Sequence, residues 1–126
     1  MPRYSIVIPT RNGAETLRST LKSVLSVDHD DFEVIVGDND TTDATRRLID
    51  EIASPRIRYV RAPRPLAMTS NWEFAVSHAE GDYVTVLGDD DGLLPGALRE
   101  LDHLLELTGL SVVRWDAAFF VWPGVD

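Results

Sequence analysis

The sequence predicts one α/β domain: a mostly parallel sheet with helices on both of its faces. Two observations carry this expectation. Short apolar runs alternate four times with stretches of helical periodicity, and a further apolar run follows, an order that right-handed crossovers fold into a parallel sheet. The run Tyr83-Val84-Thr85-Val86-Leu87 also leads straight into Asp89-Asp90-Asp91, and in open α/β sheets ligands bind at the carboxyl ends of strands. With 126 residues, no internal repeat and no linker, the chain reads as a single domain spanning 1–126, long enough for a real core.

Tyr4–Ile8 is apolar and stops at Pro9, as a buried strand does. Asn12 with Glu15 three residues on resembles a capping box, and Leu17, Leu21, Val24 and Leu25 follow at helical spacing. Glu33–Gly37 is a second strand, running into the polar stretch Asp38–Asp43. Threonine and aspartate there can cap a helix with Leu48, Ile49 and Ile52 on one face. Ile57–Arg61 alternates apolar with charged residues and belongs near a sheet edge. Pro63 and Pro65 make 62–69 a loop. Ser70-Asn71-Trp72-Glu73 reads as a second capping box, opening a helix with Trp72, Ala75, Val76 and Ala79 inward. After the acidic triplet, Pro95 suits a helix's first turn, Leu98, Leu101 and Leu105 form a buried stripe, and Gly109 is a stop. Leu110–Trp122 is rich in β-branched and aromatic residues and reads as one or two strands.

Composition narrows the function. A net charge of −9 argues against a nucleic-acid polymer as partner, yet not against a nucleotide whose phosphates meet the protein through a metal ion. The absence of cysteine excludes disulfides and thiolate metal sites. The three histidines, His29, His78 and His103, lack zinc spacing, and His103 reads as a surface or boundary residue. No apolar run is long enough for a membrane span and no signal-peptide pattern opens the chain, so it reads as soluble. Three adjacent carboxylates repel one another, and a hard divalent cation, Mg²⁺ or Mn²⁺, is the partner their oxygens prefer.

Four segments, taken together and in order, resemble the family 2 glycosyltransferases of the GT-A fold, a Rossmann-like fold that transfers sugars from nucleotide-diphospho-sugars. They are Ser5–Asn12, Val36–Thr45, Met68–Trp72 with Ala79–Tyr83, and Leu87–Asp91 followed by Pro95. The resemblance extends from Tyr4 to about Leu105 and implies an inverting glycosyltransferase working in polysaccharide biosynthesis. It assigns donor binding to Pro9, Thr10, Arg11, Asp38, Asn39, Asn71 and Asp89, and the metal to Asp90, with Asp89 and Asp91 beside it.

The departures from the family pattern are informative. Anchored on Pro95, the first aspartate of the usual Asp-x-Asp falls on Gly88 and the second on Asp90, which leaves Asp89 as the substitute for the missing carboxylate. The second of the paired aspartates after strand two is Asn39, whose amide can both donate and accept, so the base preference is open. Arg11 stands where an aromatic residue is common; a guanidinium can still stack on a base. From the residues alone, Asp40 and Asp43 read as turn and cap residues, Asn71 as a helix-opening residue, Arg61 and Arg64 as solvated and Trp72 as core.

The resemblance also implies that the catalytic domain continues beyond this point, with the acceptor site and the general base in the later half. The chain is therefore expected to bind donor without transferring sugar at an enzymatic rate. The alternative is a non-catalytic nucleotide-sugar-binding module or partner subunit. No residue is a secure catalytic base; Asp116 reads as a strand-surface residue. Acceptor, sugar and linkage stay open. The expected location is cytoplasmic, at the inner face of the membrane through partners, and Phe119–Trp122 suggests a homodimer through the C-terminal strand region.

Overall fold

The computed structural model describes residues 2–116. Its elements are β1 (Tyr4–Thr10), α1 (Ala14–Leu25), β2 (Phe32–Asp38), α2 (Ala44–Ile52), β3 (Ile57–Arg61), α3 (Met68–Val76), β4 (Tyr83–Val86) and α4 (Ala97–Thr108). The strands form one parallel sheet in the order β3-β2-β1-β4. β1 and β2 are central, and nearly every residue in them is buried, which is why they read as continuous apolar runs rather than as alternation. β3 lies at the edge, as its charged residues predict.

Helices cover both faces, but unequally. Tyr4, Ile6, Ile8, Val34 and Val36 point to one face and pack with Leu17, Leu21 and Val24 of α1, Leu48 of α2, and Leu98 and Leu105 of α4. Val7 and Ile35 point to the other, where Ala75 of α3 meets them. α3 can lie this close because position 37 is glycine: a Cβ there would stand 2.5 Å from the Ala75 Cβ. Beyond α3, β4 leaves Val84 and Val86 exposed.

Several local expectations are corrected. Neither proposed capping box forms. Gly13 is the N-cap of α1 and Ala67 that of α3, with no side-chain cap bond at either. Ser70 and Asn71 therefore lie inside α3, which starts two residues earlier than its apparent box. Trp72 and Val76 are exposed, not core, because the narrow buried face of α3 is made by Asn71 and Ala75. Ala79 lies beyond the end of α3 yet still packs against its cluster. Pro95 sits in the turn before α4 rather than in its first turn, and its carbonyl accepts from the Asp28 N–H at 2.7 Å. Gly109 ends α4 with φ 63°, as a left-handed stop requires. Residues 110–116 form no strand, and Phe119–Trp122 lies outside the described residues. His103 is exposed. Among the described residues no helix is long and apolar enough to cross a membrane.

Candidate functional site

The strand order reverses between β1 and β4, because β1 has β2 on one side and β4 on the other. Connections leaving these strands diverge to opposite sides and open a crevice at their carboxyl ends. Sheet register sets three polar residues side by side at that end, Thr10 beside Asp38 and Asp38 beside Arg61. β4 pairs only as far as Val7 with Val86, so Leu87-Gly88-Asp89 continues alongside β1 as a loop. Thr10 and the acidic triplet thereby become neighbours.

The loops at this end of the sheet are bound to one another. Asn39 donates its backbone N–H to the Thr10 carbonyl at 2.9 Å. Its side-chain amide donates to the Leu66 carbonyl at 2.8 Å and accepts from the Leu66 N–H at 3.0 Å, so it reads a peptide of the 62–67 loop at two points. Asn12, at φ 54°, spends its side-chain oxygen on the Thr41 N–H at 2.9 Å rather than on capping α1.

Asp40 is a buried organiser rather than a simple turn residue. Its carboxylate accepts from the Asn12 N–H and, at 3.2 Å, from the Thr45 N–H inside the first turn of α2. It thus supplies the anion at the helix N-terminus that Asp43, the positional cap, does not. Asp43 instead accepts from Arg61 at 3.0 Å. Arg61 is held in this network and is not a free solvated arginine.

Asp38 lies beneath the loop. Its side chain is fully buried, one oxygen accepting from the Tyr59 hydroxyl at 2.5 Å and the other from the Asp40 N–H at 2.7 Å. Burial raises its pKa despite these bonds, and burial together with Asp38 pushes the Tyr59 phenol up to about 12. Pro9 is buried in β1 opposite Gly37. Asn71 is buried on the face below and donates to the Gly37 carbonyl at 3.1 Å; its oxygen has no partner among the described residues. It is a mid-helix tie to β2, not a helix-opening residue.

The three carboxylates of the triplet do not share one direction. Asp89 turns toward β1 and accepts from the Thr10 hydroxyl at 2.6 Å. Its Oδ2 lies over the N-cap of α1, where any Cβ on Gly13 would collide with it. Burial raises the Asp89 pKa; the Thr10 bond opposes this, and the charges of Asp90 and Asp40 add to it. Asp90 and Asp91 lie instead over Gly88. A Cβ at Gly88 would stand 2.5 Å from Asp91 Oδ2 and 3.0 Å from Asp90 Oδ1. The side chain that an aspartate at 88 would carry is therefore replaced in space by Asp91, not by Asp89.

Among the described residues no group of three or more His, Asp or Glu side chains stands ready to hold a metal ion. The donor set still fits a hard divalent cation. Two carboxylates at an open loop suit an ion that keeps waters and takes phosphate oxygens to complete its shell. Arg11 and Arg64 lie exposed on the loops flanking Thr10 and Leu66, with no side-chain partner among the described residues.

The sequence matches glycosyl transferase family 2 over residues 5–121. The chain belongs to that family. A GalNAc(5)-diNAcBac-PP-undecaprenol beta-1,3-glucosyltransferase of Campylobacter jejuni is 34% identical over 104 residues, covering 80% of this chain and 34% of that protein. S. aureus TarS, solved also with UDP-GlcNAc, superposes with a TM-score of 0.78 at 21% identity over 86% of this chain and 33% of its own. A mannosyltransferase of Pyrobaculum calidifontis, in complex with GDP-Man and Mn²⁺, gives a TM-score of 0.71 at 23% identity over 82% of this chain and 32% of its own. The fold is thus the Rossmann-like GT-A fold. The chain spans about a third of the length of three of the curated relatives it matches, the C. jejuni protein among them. Family 2 membership favours a transferase over a stand-alone binding module.

Sequence reasoning missed three residues that tie together the loops of this crevice. Tyr59 lies in an edge strand two residues before Arg61, and Thr20, whose hydroxyl donates to the Asp89 and Asp91 carbonyls, lies in a helix; neither pattern signals a distant partner. Asp40 reads from the sequence as a turn residue, and its bond to α2 is a tertiary fact. Asp116 is exposed in an irregular segment, not on a strand.

Proposed function

We propose that this chain is the donor-binding part of an inverting glycosyltransferase, which moves a sugar from a nucleotide-diphospho-sugar to an acceptor hydroxyl. The observation that carries the proposal is the crevice between β1 and β4, with Asp90 and Asp91 turned over Gly88 on its β4 side. Family membership supports it, as do the UDP-GlcNAc and GDP-Man complexes of the structural neighbours.

In this reading Asp90 and Asp91 hold Mg²⁺ or Mn²⁺. When bound, the cation supplies positive charge against the diphosphate as it departs. Thr10, Arg11 and the Asn39 loop hold the nucleoside. Pro9, Asp38 and Asn71 form the floor that keeps those loops in place. Asp89 stays bound to Thr10 and fixes the β1–α1 turn. The exposed guanidiniums of Arg11 and Arg64 are free to stack on the base or meet the phosphates. The acceptor hydroxyl attacks the anomeric carbon from the face opposite the diphosphate, its proton taken by a general base. That base is assigned to no described residue; donor binding without turnover at an enzymatic rate by this chain alone is part of the proposal. The C. jejuni relative is named for an undecaprenol-linked saccharide; a cytoplasmic position at the inner membrane face, through partners, is part of the proposal here.

Calorimetry with Mn²⁺ and UDP or GDP tests it. Metal and nucleotide are expected to bind together and each weakly alone. Asp90→Asn removes the coupling. Equal binding by that variant and the parent would remove Asp90 from the site. Robust sugar transfer by this chain from a panel of nucleotide-sugars to simple acceptors would show that it contains its own base.

A further inference from the structure

The separate placement of Asp89 and of Asp90 and Asp91 needs a cause, since three like charges in succession do not arrange themselves. Asp91 donates its N–H to the Gly88 carbonyl at 3.2 Å, which bends the loop into a turn. The carbonyls of Asp89 and Asp91 then both aim at one group, the Thr20 hydroxyl, at 2.9 and 2.6 Å. Thr20 is in the middle of α1 and fully buried. One turn along, the Ser23 hydroxyl accepts from the Leu93 N–H at 3.2 Å and holds the loop where it leaves the turn.

A hydroxyl has one proton, so Thr20 shares it between two carbonyls. Holding both carbonyls fixes the backbone of the turn, from which Asp89 reaches Thr10 while Asp90 and Asp91 lie over Gly88. The polar contact is not explained by core packing. Thr20 stands among Leu17, Leu21 and Val24, all fully buried apolar residues of the same helix. An apolar residue would fill its volume as well, but would take from both carbonyls the donor that Thr20 gives them.

We propose that Thr20 is a positioning residue of the donor site: its hydroxyl sets the backbone of the Asp89–Asp91 turn and so presents Asp90 and Asp91 to the cation and diphosphate. This rests on the donor-site reading above. Thr20 touches neither ligand and acts through the turn.

The test compares Thr20→Val, which keeps the shape and removes the donor, with Thr20→Ser, which keeps the donor. Amide hydrogen exchange is read at Asp91 and Leu93, Mn²⁺–UDP affinity by calorimetry, and the urea midpoint gives global stability. Thr20→Val is expected to speed exchange at both amides beyond what its change in midpoint accounts for. It is also expected to weaken Mn²⁺–UDP binding by about 10–100-fold, the range for lost outer-shell support of a metal site. Thr20→Ser restores both. Parental exchange at Asp91 and Leu93, or parental affinity, in Thr20→Val overturns the proposal. If the parent binds no Mn²⁺–UDP, the donor-site reading falls and the exchange rates alone decide the part Thr20 plays in the turn.

Discussion

The two ends of the sheet treat their carboxylates in opposite ways. At the amino end, Asp102 of α4 accepts from the Tyr4 hydroxyl at 2.6 Å, lies 3.0 Å from His29 Nε2 and pairs with Arg3 at 3.2 Å. Burial alone would raise its pKa, but the Tyr4 bond, His29 and Arg3 together outweigh burial and lower it. At the carboxyl end, Asp38 and Asp89 are raised, with burial the largest cause. One end uses a carboxylate to tie α4 to β1. The other holds carboxylates at a cost to stability, a pattern that functional sites share.

The largest effect that could break this comparison is at the amino end. Asp102→Ala leaves the Tyr4 hydroxyl and His29 without their acceptor and is expected to cost about 1–3 kcal/mol, measured by urea unfolding at neutral pH. No loss would mean that the cluster is a surface ion group with no structural weight.

A smaller effect of opposite sign is expected at the carboxyl end. Asp89→Asn removes a charge that burial disfavours, so stability at neutral pH should hold or rise, by up to about 1 kcal/mol. The pH dependence separates the two. Asp102 has a lowered folded pKa, so its stabilisation is present above the ordinary 3.8 and is lost as pH falls through the folded value. Asp89 has a raised folded pKa, so its penalty is present above that value and fades as pH falls from it toward 3.8. The gap between Asp89→Asn and parent should therefore close at a higher pH than the gap between Asp102→Ala and parent. Closure in the reverse order would undo the contrast between the ends.

The smallest effect belongs to neither end. Val84 is 47% exposed on the uncovered face of β4, so Val84→Lys should change stability by no more than about 0.5 kcal/mol. It should also reduce any self-association seen by light scattering, because a lysine discourages pairing at a sheet edge. Unchanged association would place the contact elsewhere.

The sequence by itself determined the strand–helix alternation, the buried strand over Tyr4–Ile8, the edge place of Ile57–Arg61, the helix stop at Gly109 and the acidic loop after β4. These follow from apolar periodicity and from backbone preferences within a few residues, which are local properties. Only the tertiary structure decided the rest. It moved the start of α3 away from its apparent capping box and left Trp72 exposed, because which helical stripe is buried depends on what lies beneath it. It directed Asp89 to Thr10, and Asp90 and Asp91 over Gly88, because a carboxylate's direction is set by hydrogen bonds to residues some 70 to 80 positions away. It buried Asp38 under Tyr59 and gave Asp40 to α2, since no spacing along the chain reveals which donors a fold will bring to an acid.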